Sequence, residues 1–343
     1  MNVCGAVGAF MVAVSVCGSS TVPNVSPSLL QAALHAKWSS YKAQHGKEYA
    51  SHVDNVKKVV FLENTRTIEE HNLRYHQGLE SFQMGHNALS DFTLEEIQAT
   101  RMGLAMPSDI EEHHANASLH VTSEDYPYPT RLDWRDQNAV GPVKNQQHCG
   151  SCYAFSSGGA LETAHWRRYG ILPNVSVQHI VDCTRQYGNR GCQGGWMHTA
   201  FKWLQDHGGY LASTEYPYAA HVGKCRDEST LKIGRVARYA RIPAGDEKAL
   251  LDAVTFIGTI PVAYNAVTKQ HAYYRQGILD VPDCGTRPTH AVLLVGYGTE
   301  RGVDYWILKN SWGTSWGENG YFRMRRGSNM CGVANWASYP VSG

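Results

Sequence analysis

The chain has 343 residues, 43% of them apolar and 18% charged, with a formal net charge of +1. That length predicts two or more folding units, or one domain with a removable segment. With no long basic run, zinc-finger spacing or Gly-rich phosphate loop, the sequence argues against nucleic acid and nucleotides as partners.

The first feature in chain order is an uncharged apolar run from Val3 to Val16, too short to span a bilayer and followed by Gly18, Ser19 and Ser20. It reads as a secretory signal peptide over residues 1–19, with no membrane span elsewhere. Cys4 and Cys17 would leave with it. Residues 20–127 then contain no cysteine and only one tryptophan, Trp38. Trp38, Tyr41 and His45 share one helical face, and Phe61, Asn64, Ile68 and Asn72 share another. Two asparagines are odd on a stripe meant for a core. From Arg101 to Pro129 the chain is rich in His, Asp, Glu, Ser and Pro, which predicts an exposed linker, cut between about Asp125 and Arg131. N-x-S sequons stand at Asn24, Asn116 and Asn174, compatible with a glycosylated, secreted or lysosomal protein.

Beyond Tyr128 lies Cys149-Gly150-Ser151-Cys152-Tyr153-Ala154-Phe155. A helix is expected from Ser151 or Cys152 to about Tyr169, because Phe155, Leu161, Ala164 and His165 share a face and Gly170 can stop it. Gly158-Gly159 inside it costs about 1 kcal/mol per Gly relative to Ala, so close packing must hold that turn. Ala291–Val295 and Tyr305–Leu308 read as buried strands. One half is therefore helical and the other strand-rich, an α+β chain. This part holds seven cysteines. Six can pair in an oxidising compartment, in arrangements the sequence leaves open, and one remains.

The cysteine most suited to chemistry is Cys152. At the first turn of a helix it faces the positive end of the macrodipole, which favours the thiolate, and a nearby imidazolium would add to that. His290 can move the proton, and Asn310, in Lys309-Asn310-Ser311-Trp312-Gly313, can orient the imidazole. Singly, Cys149-x-x-Cys152 could be a redox pair or half a zinc site, His290 a packed core histidine and Asn310 a turn residue. As an ordered set they resemble the papain and cathepsin family of cysteine proteases, most closely its cathepsin L-like branch.

That resemblance covers nearly the whole chain and implies a two-lobed papain-like fold with the cleft between the lobes. A helical inhibitory propeptide over residues 20–127 would precede a mature domain over residues 128–343. Phe61, Asn64, Ile68 and Asn72 look like half of the propeptide's helix motif, with Lys57 and Val53 departing from the family's usual Arg and Glu. Gly85-His86-Asn87-Ala88-Leu89-Ser90-Asp91 resembles its next motif. In the mature part, Cys152, His290 and Asn310 would be catalytic. Gln146 would complete an oxyanion hole, and Trp312 would cover the His–Asn contact. The implied disulfides are Cys149–Cys192, Cys183–Cys225 and Cys284–Cys331. The implied S2 pocket comprises Gly194, Gly195, Trp196, Met197, Ala263, Pro288 and Trp336. Tyr153 stands where most relatives have Trp, and Gln147-His148 replaces a smaller pair, but neither change removes a catalytic group. The family further implies a zymogen of an endopeptidase acting through a thioester, with no cofactor or metal, and a monomer. Its partners would be protein and peptide substrates, its own propeptide and cystatin-like inhibitors, in a lysosome, an acidic vesicle or outside the cell. The competing readings are a papain-fold binding protein without turnover and a thiol acyl or amide transferase.

Overall fold

The structure, a computed structural model, describes residues 26–106, 117–123 and 127–343. The expected signal segment and the sequons at Asn24 and Asn116 lie outside the described residues. Two units divide at Lys47. The first holds helix α1 (Pro27–His45), started by Pro27 and by Ser26, whose side chain accepts from the Leu29 amide at 3.3 Å, and ended by Gly46 at φ 59°. That left-handed stop suits glycine. Trp38 and Tyr41 stack at 5.6 Å on its apolar face, and the His45 ring adjoins Tyr41 at 4.8 Å.

The second unit opens with α2 (Ser51–His76) and α3 (Leu94–Arg101). The asparagines on α2 hydrogen-bond the chain that follows rather than fill a core. Asn64 donates to the Ser90 and Phe92 carbonyls at 3.1 and 3.0 Å, and Asn72 bonds both backbone groups of Met84 at 2.8 and 2.9 Å. Thr93 and Glu96 form a reciprocal capping box on α3, and Lys57 reaches Glu96 at 2.8 Å. Satisfying buried backbone groups in this way is what holds an apolar-poor segment in place.

The strands are β1 (Phe82–Met84), β2 (Ser118–Leu119), β3 (Leu132–Asp133), β4 (Tyr210–Leu211), β5 (Lys232–Gly234), β6 (Val236–Arg241), β7 (Ile260–Tyr264), β8 (Tyr274–Leu279), β9 (His290–Glu300), β10 (Val303–Lys309), β11 (Tyr321–Arg325) and β12 (Trp336–Ser342). The large sheet runs β1-β8-β11-β10-β9-β7-β12-β6-β2, with β3 on β9; β4 and β5 pair separately. Strands from ahead of residue 128 therefore cover both ends of this sheet. β1 lies antiparallel on β8 and β2 parallel on β6. Each supplies partners to an otherwise open edge.

Helices α4 (Cys152–Tyr169), α5 (Val177–Cys183) and α6 (Met197–Asp206) form the helical half, packing Leu161, Ile180, Trp196 and Phe201 with Ala263, Ala291 and Leu293 from β7 and β9. Gly170 caps α4 at φ 72°. A Cβ at Gly159 would stand 2.6 Å from Leu293 Cδ2, so the helix approaches β9 where it has no side chain. The strand-rich half buries Trp134, Tyr264, Trp306, Trp316 and Phe322 with Leu250 and Val254 of α7 (Glu247–Phe256). The short helix α8 (Lys269–Ala272) leads into β8. Helices on one side and sheet on the other make the α+β two-lobed arrangement.

The reading of residues 101–129 as an exposed linker needs correction at three of the described residues. Arg101 is 9% exposed, Gly103 is buried, and His120 is 7% exposed next to strand β2. The segment's described parts at 101–105 and 118–123 dock mainly through backbone hydrogen bonds and single polar side chains, which leave no apolar periodicity to read.

Candidate active site

Cys152 opens α4, which places its sulfur at a helix N-terminus. His290 is the first residue of β9, and Asn310 directly follows β10. Because β9 and β10 pair antiparallel, with Leu293 opposite Lys309, the two side chains meet at the same end of the sheet. His290 Nε2 donates to Asn310 Oδ1 at 2.8 Å. The indole of Trp312 lies 5.0 Å from the imidazole, centroid to centroid, shielding that bond from water.

Gln146 is fully buried and held at three points. Its backbone amide donates to the Ser311 carbonyl at 2.8 Å, its Oε1 accepts from Ser311 Oγ at 2.7 Å, and its Nε2 donates to the Cys149 carbonyl at 2.9 Å. The same Nε2 also donates to the Arg101 carbonyl at 3.0 Å. A side-chain amide fixed at its other end and aimed at a carbonyl is the geometry of an oxyanion donor.

The chain itself fills this cleft. Gly195 N–H donates to the Gly103 carbonyl at 3.0 Å, Ala105 N–H to the Gly195 carbonyl at 3.3 Å and Leu104 N–H to the Thr289 carbonyl at 3.3 Å, with Leu104 in parallel register on Gly195. A Cβ at Gly103 would stand 1.9 Å from the Gly150 carbonyl oxygen, so only glycine fits there. Burial in this closed cleft pushes the Cys152 thiol up to about 11, hydrogen bonding from the backbone at Ala291 and Gly103 opposing it. Burial also pulls His290 down to about 4, against the Asn310 bond and the Arg101 backbone. Both groups are thus held neutral while the cleft is shut. The thiolate–imidazolium pair expected from the helix dipole belongs to an open cleft, where water solvates both charges.

The residues assigned to S2 lie together only in part. Trp196 and Met197 are fully buried, and Trp336 pairs with Ala263 across β12 and β7. The Trp336 indole meets Trp196 edge-on at 5.4 Å, and Leu104 packs, partly buried, on the same cluster. Pro288 instead lines a cavity of about 290 Å³ with Met102, Leu104, Asn265 and Val267. The structure pairs Cys149 with Cys192, Cys183 with Cys225 and Cys284 with Cys331, and among the described residues only Cys152 is a free cysteine. Asn174 is exposed.

Sequence reasoning missed Arg101 and Gly103 as cleft contacts, and His271. The last is a buried imidazole bonded to Tyr264 Oη at 2.9 Å, its ring 6.2 Å from that of His290. Burial and the neighbouring His290 hold it well below its ordinary value. Gly103, inside the short apolar run Met102-Gly103-Leu104-Ala105-Met106, carried the only legible signal.

Comparison with known proteins gives two family matches. Papain family cysteine protease matches residues 128–341, and the cathepsin propeptide inhibitor domain matches residues 38–97. Digestive cysteine proteinase 2 of Homarus americanus is 40% identical over 314 residues, 90% of this chain and 96% of that one. Cathepsin L of Sarcophaga peregrina is 39% identical over 323 residues, 89% of this chain and 92% of its own. Among solved structures, a digestive procathepsin L2 proteinase from Tenebrio molitor larval midgut superposes with a TM-score of 0.84 at 39% identity, covering 90% of this chain and 99% of that one.

Proposed function

The chain belongs to the papain family of cysteine proteases, as a cathepsin-like zymogen with its propeptide inhibitor domain attached, and we propose that its mature domain, residues 128–343, is an endopeptidase preferring an apolar P2 side chain. The observation that carries this reading is the Arg101 carbonyl on Gln146 Nε2, a backbone carbonyl lying where a scissile one would be polarised.

In the open enzyme the Cys152 thiol passes its proton to His290, and the thiolate sulfur bonds to the substrate carbonyl carbon. The oxygen becomes an oxyanion, taking hydrogen bonds from Gln146 Nε2 and the Cys152 backbone N–H; such a donor contributes about 2.7–4 kcal/mol. Collapse breaks the C–N bond, and His290 protonates the departing amine. Water, activated by the now neutral imidazole, then attacks the thioester and releases the acid and the thiol. Asn310 fixes the tautomer throughout by accepting from Nε2.

At P2, the walls Trp196, Met197, Ala263 and Trp336 carry no acidic group. Burying apolar substrate surface gains about 25 cal/mol per Å², whereas an unpaired Arg would lose its hydration without compensation. The Trp336 indole against Trp196 supports a shallow pocket that favours Val, Leu or Pro over Phe. The apolar leader over residues 1–19 supports entry into the secretory pathway, towards an acidic organelle or the cell exterior, and Asn174 is a candidate glycosylation site. No helix among the described residues is long and apolar enough to cross a membrane.

The test is activity on peptide substrates after incubating the precursor at about pH 4.5 and about pH 7.5, followed by mass. Turnover should appear with loss of the propeptide. Equal activity in the uncut precursor would overturn the zymogen account.

A further inference from the structure

Asp252, on α7, is 2% exposed, and among the described residues the groups that hydrogen-bond its carboxylate belong to His120, Ser123 and Tyr128. His120 Nε2 meets Oδ1 at 2.9 Å, the Ser123 amide donates to Oδ2 at 2.9 Å, and Tyr128 Oη donates to Oδ2 at 3.2 Å. The other ring nitrogen of His120 bonds Tyr339 Oη at 3.0 Å, and its ring stands edge-on to Tyr339 at 5.7 Å. Just before it, Ser118 and Leu119 run parallel on Ala240 and Arg241 of β6, and the His120 amide donates to the Arg241 carbonyl at 2.8 Å. Leu119 and Val121, on either side of His120, are 49% and 84% exposed. Between these two exposed side chains the imidazole turns inward.

A carboxylate buried this deeply is costly unless it is hydrogen-bonded, and among the described residues the mature domain supplies only the 3.2 Å bond from Tyr128, while both 2.9 Å contacts come from His120 and Ser123. His120 and Ser123 therefore complete a hydrogen-bonding set that the domain leaves short. We propose that the protease domain carries, besides the cleft and the β8 edge that holds β1, a further propeptide-binding site formed by the β6 edge, Tyr339 and Asp252. Its ligand class is an extended peptide presenting one imidazole, and residues 118–123 fill it in the precursor. Backbone pairing along an edge strand supplies affinity without sequence preference, and the single inward side chain supplies selectivity. The anchor is independent of the cleft strand at residues 101–105. A cut between the two anchors leaves residues 118–123 on the domain while the cleft strand is free to leave. This rests on the zymogen organisation and not on the peptidase mechanism.

The experiment is hydrogen–deuterium exchange on the full-length precursor carrying Cys152→Ala, so that it cannot cut itself, at one fixed pH. With His120→Ala added, exchange across residues 118–123 should accelerate about tenfold or more while residues 103–105 keep their protection. His120→Gln, which can still donate towards Asp252, should restore part of the lost protection. Asp252→Asn serves as the reciprocal change on the domain; if it fails to fold, the two His120 variants decide alone. Acceleration at both segments together, or at neither, would overturn the proposal. Because the readout needs no turnover, a failed peptidase assay leaves it standing.

Discussion

The side-chain amide of Gln146 donates to the backbone carbonyl of Arg101 at 3.0 Å, so the proposed oxyanion donor is already engaged by the chain's own carbonyl. On that proposal, latency is occupancy of the oxyanion donor as well as coverage of the cleft. Arg101 is the last residue of α3, and the chain beyond it is extended on both walls, bonded to Gly195 and to Thr289.

Gly103 is the tightest point of that occupancy. Gly103→Val would force a side chain into the Gly150 carbonyl, which lies 1.9 Å from the position of the first added atom. Neither backbone can yield without losing its hydrogen bonds, so the cleft strand should lift. The rate at which a peptidyl thiol reagent labels Cys152 in the uncut precursor at neutral pH should rise about a hundredfold, while the processed enzyme keeps its activity. An unchanged labelling rate would show that residues 101–105 do not bar the cleft.

The pH dependence of opening follows from His290. In the closed cleft its pKa is lowered to about 4, and in water an imidazole titrates near 6.5. With Cys152→Ala, so that no thiolate shares the proton, the open state binds it more tightly, and the closed state is fully favoured above 6.5 and loses ground as pH falls from 6.5 towards 4, by about tenfold per unit. Protection of the Leu104 amide, corrected for intrinsic exchange, should fall across that window. In His290→Ala the slope should flatten. A slope that survives the substitution would place the acid trigger elsewhere.

Cys152 gives the complementary profile. Its thiol is pushed up to about 11 in the closed precursor, so alkylation there should stay slow at neutral pH and climb through the alkaline range. After processing, the helix dipole and a solvated imidazolium should bring the rise below neutral pH. Stopped-flow alkylation of the two forms from acid to alkaline pH checks both limbs, and superimposable profiles would contradict the account.

The Trp336 indole meets Trp196 edge-on among the residues of the proposed P2 pocket, where it would limit the pocket's depth. Trp336→Ala should raise kcat/KM for a Phe-P2 substrate about tenfold or more relative to Leu, and Arg at P2 should remain poor in both enzymes. No gain on Phe would mean that the indole does not bound the pocket.

Where the sequence could be read, local patterning agreed with tertiary packing. Helix α4 starts at Cys152 and stops at Gly170 because both signals lie in the chain, and β9 and β10 are apolar enough to be seen as strands. The family resemblance supplied the two-lobed architecture, which periodicity alone does not give. What escaped was held by single polar contacts between distant segments. His120 looked like one more residue of a polar linker until Asp252 appeared beside it, and nothing near His271 announced that Tyr264 would partner it inside an aromatic wall. The odd asparagines on α2 were visible, but their reason was not, since their partners are backbone atoms of Met84, Ser90 and Phe92. Backbone partners leave no trace in side-chain periodicity.

The most direct measurement is intact mass after labelling with a peptidyl thiol reagent carrying Leu at P2, on the precursor at neutral pH and again after acid processing. The account predicts almost no label on the precursor, then one label per processed chain, mapped to Cys152, with activity lost in proportion. A label on any other cysteine, or a full-length precursor that takes the label and cleaves peptide as fast as the processed form, would contradict it.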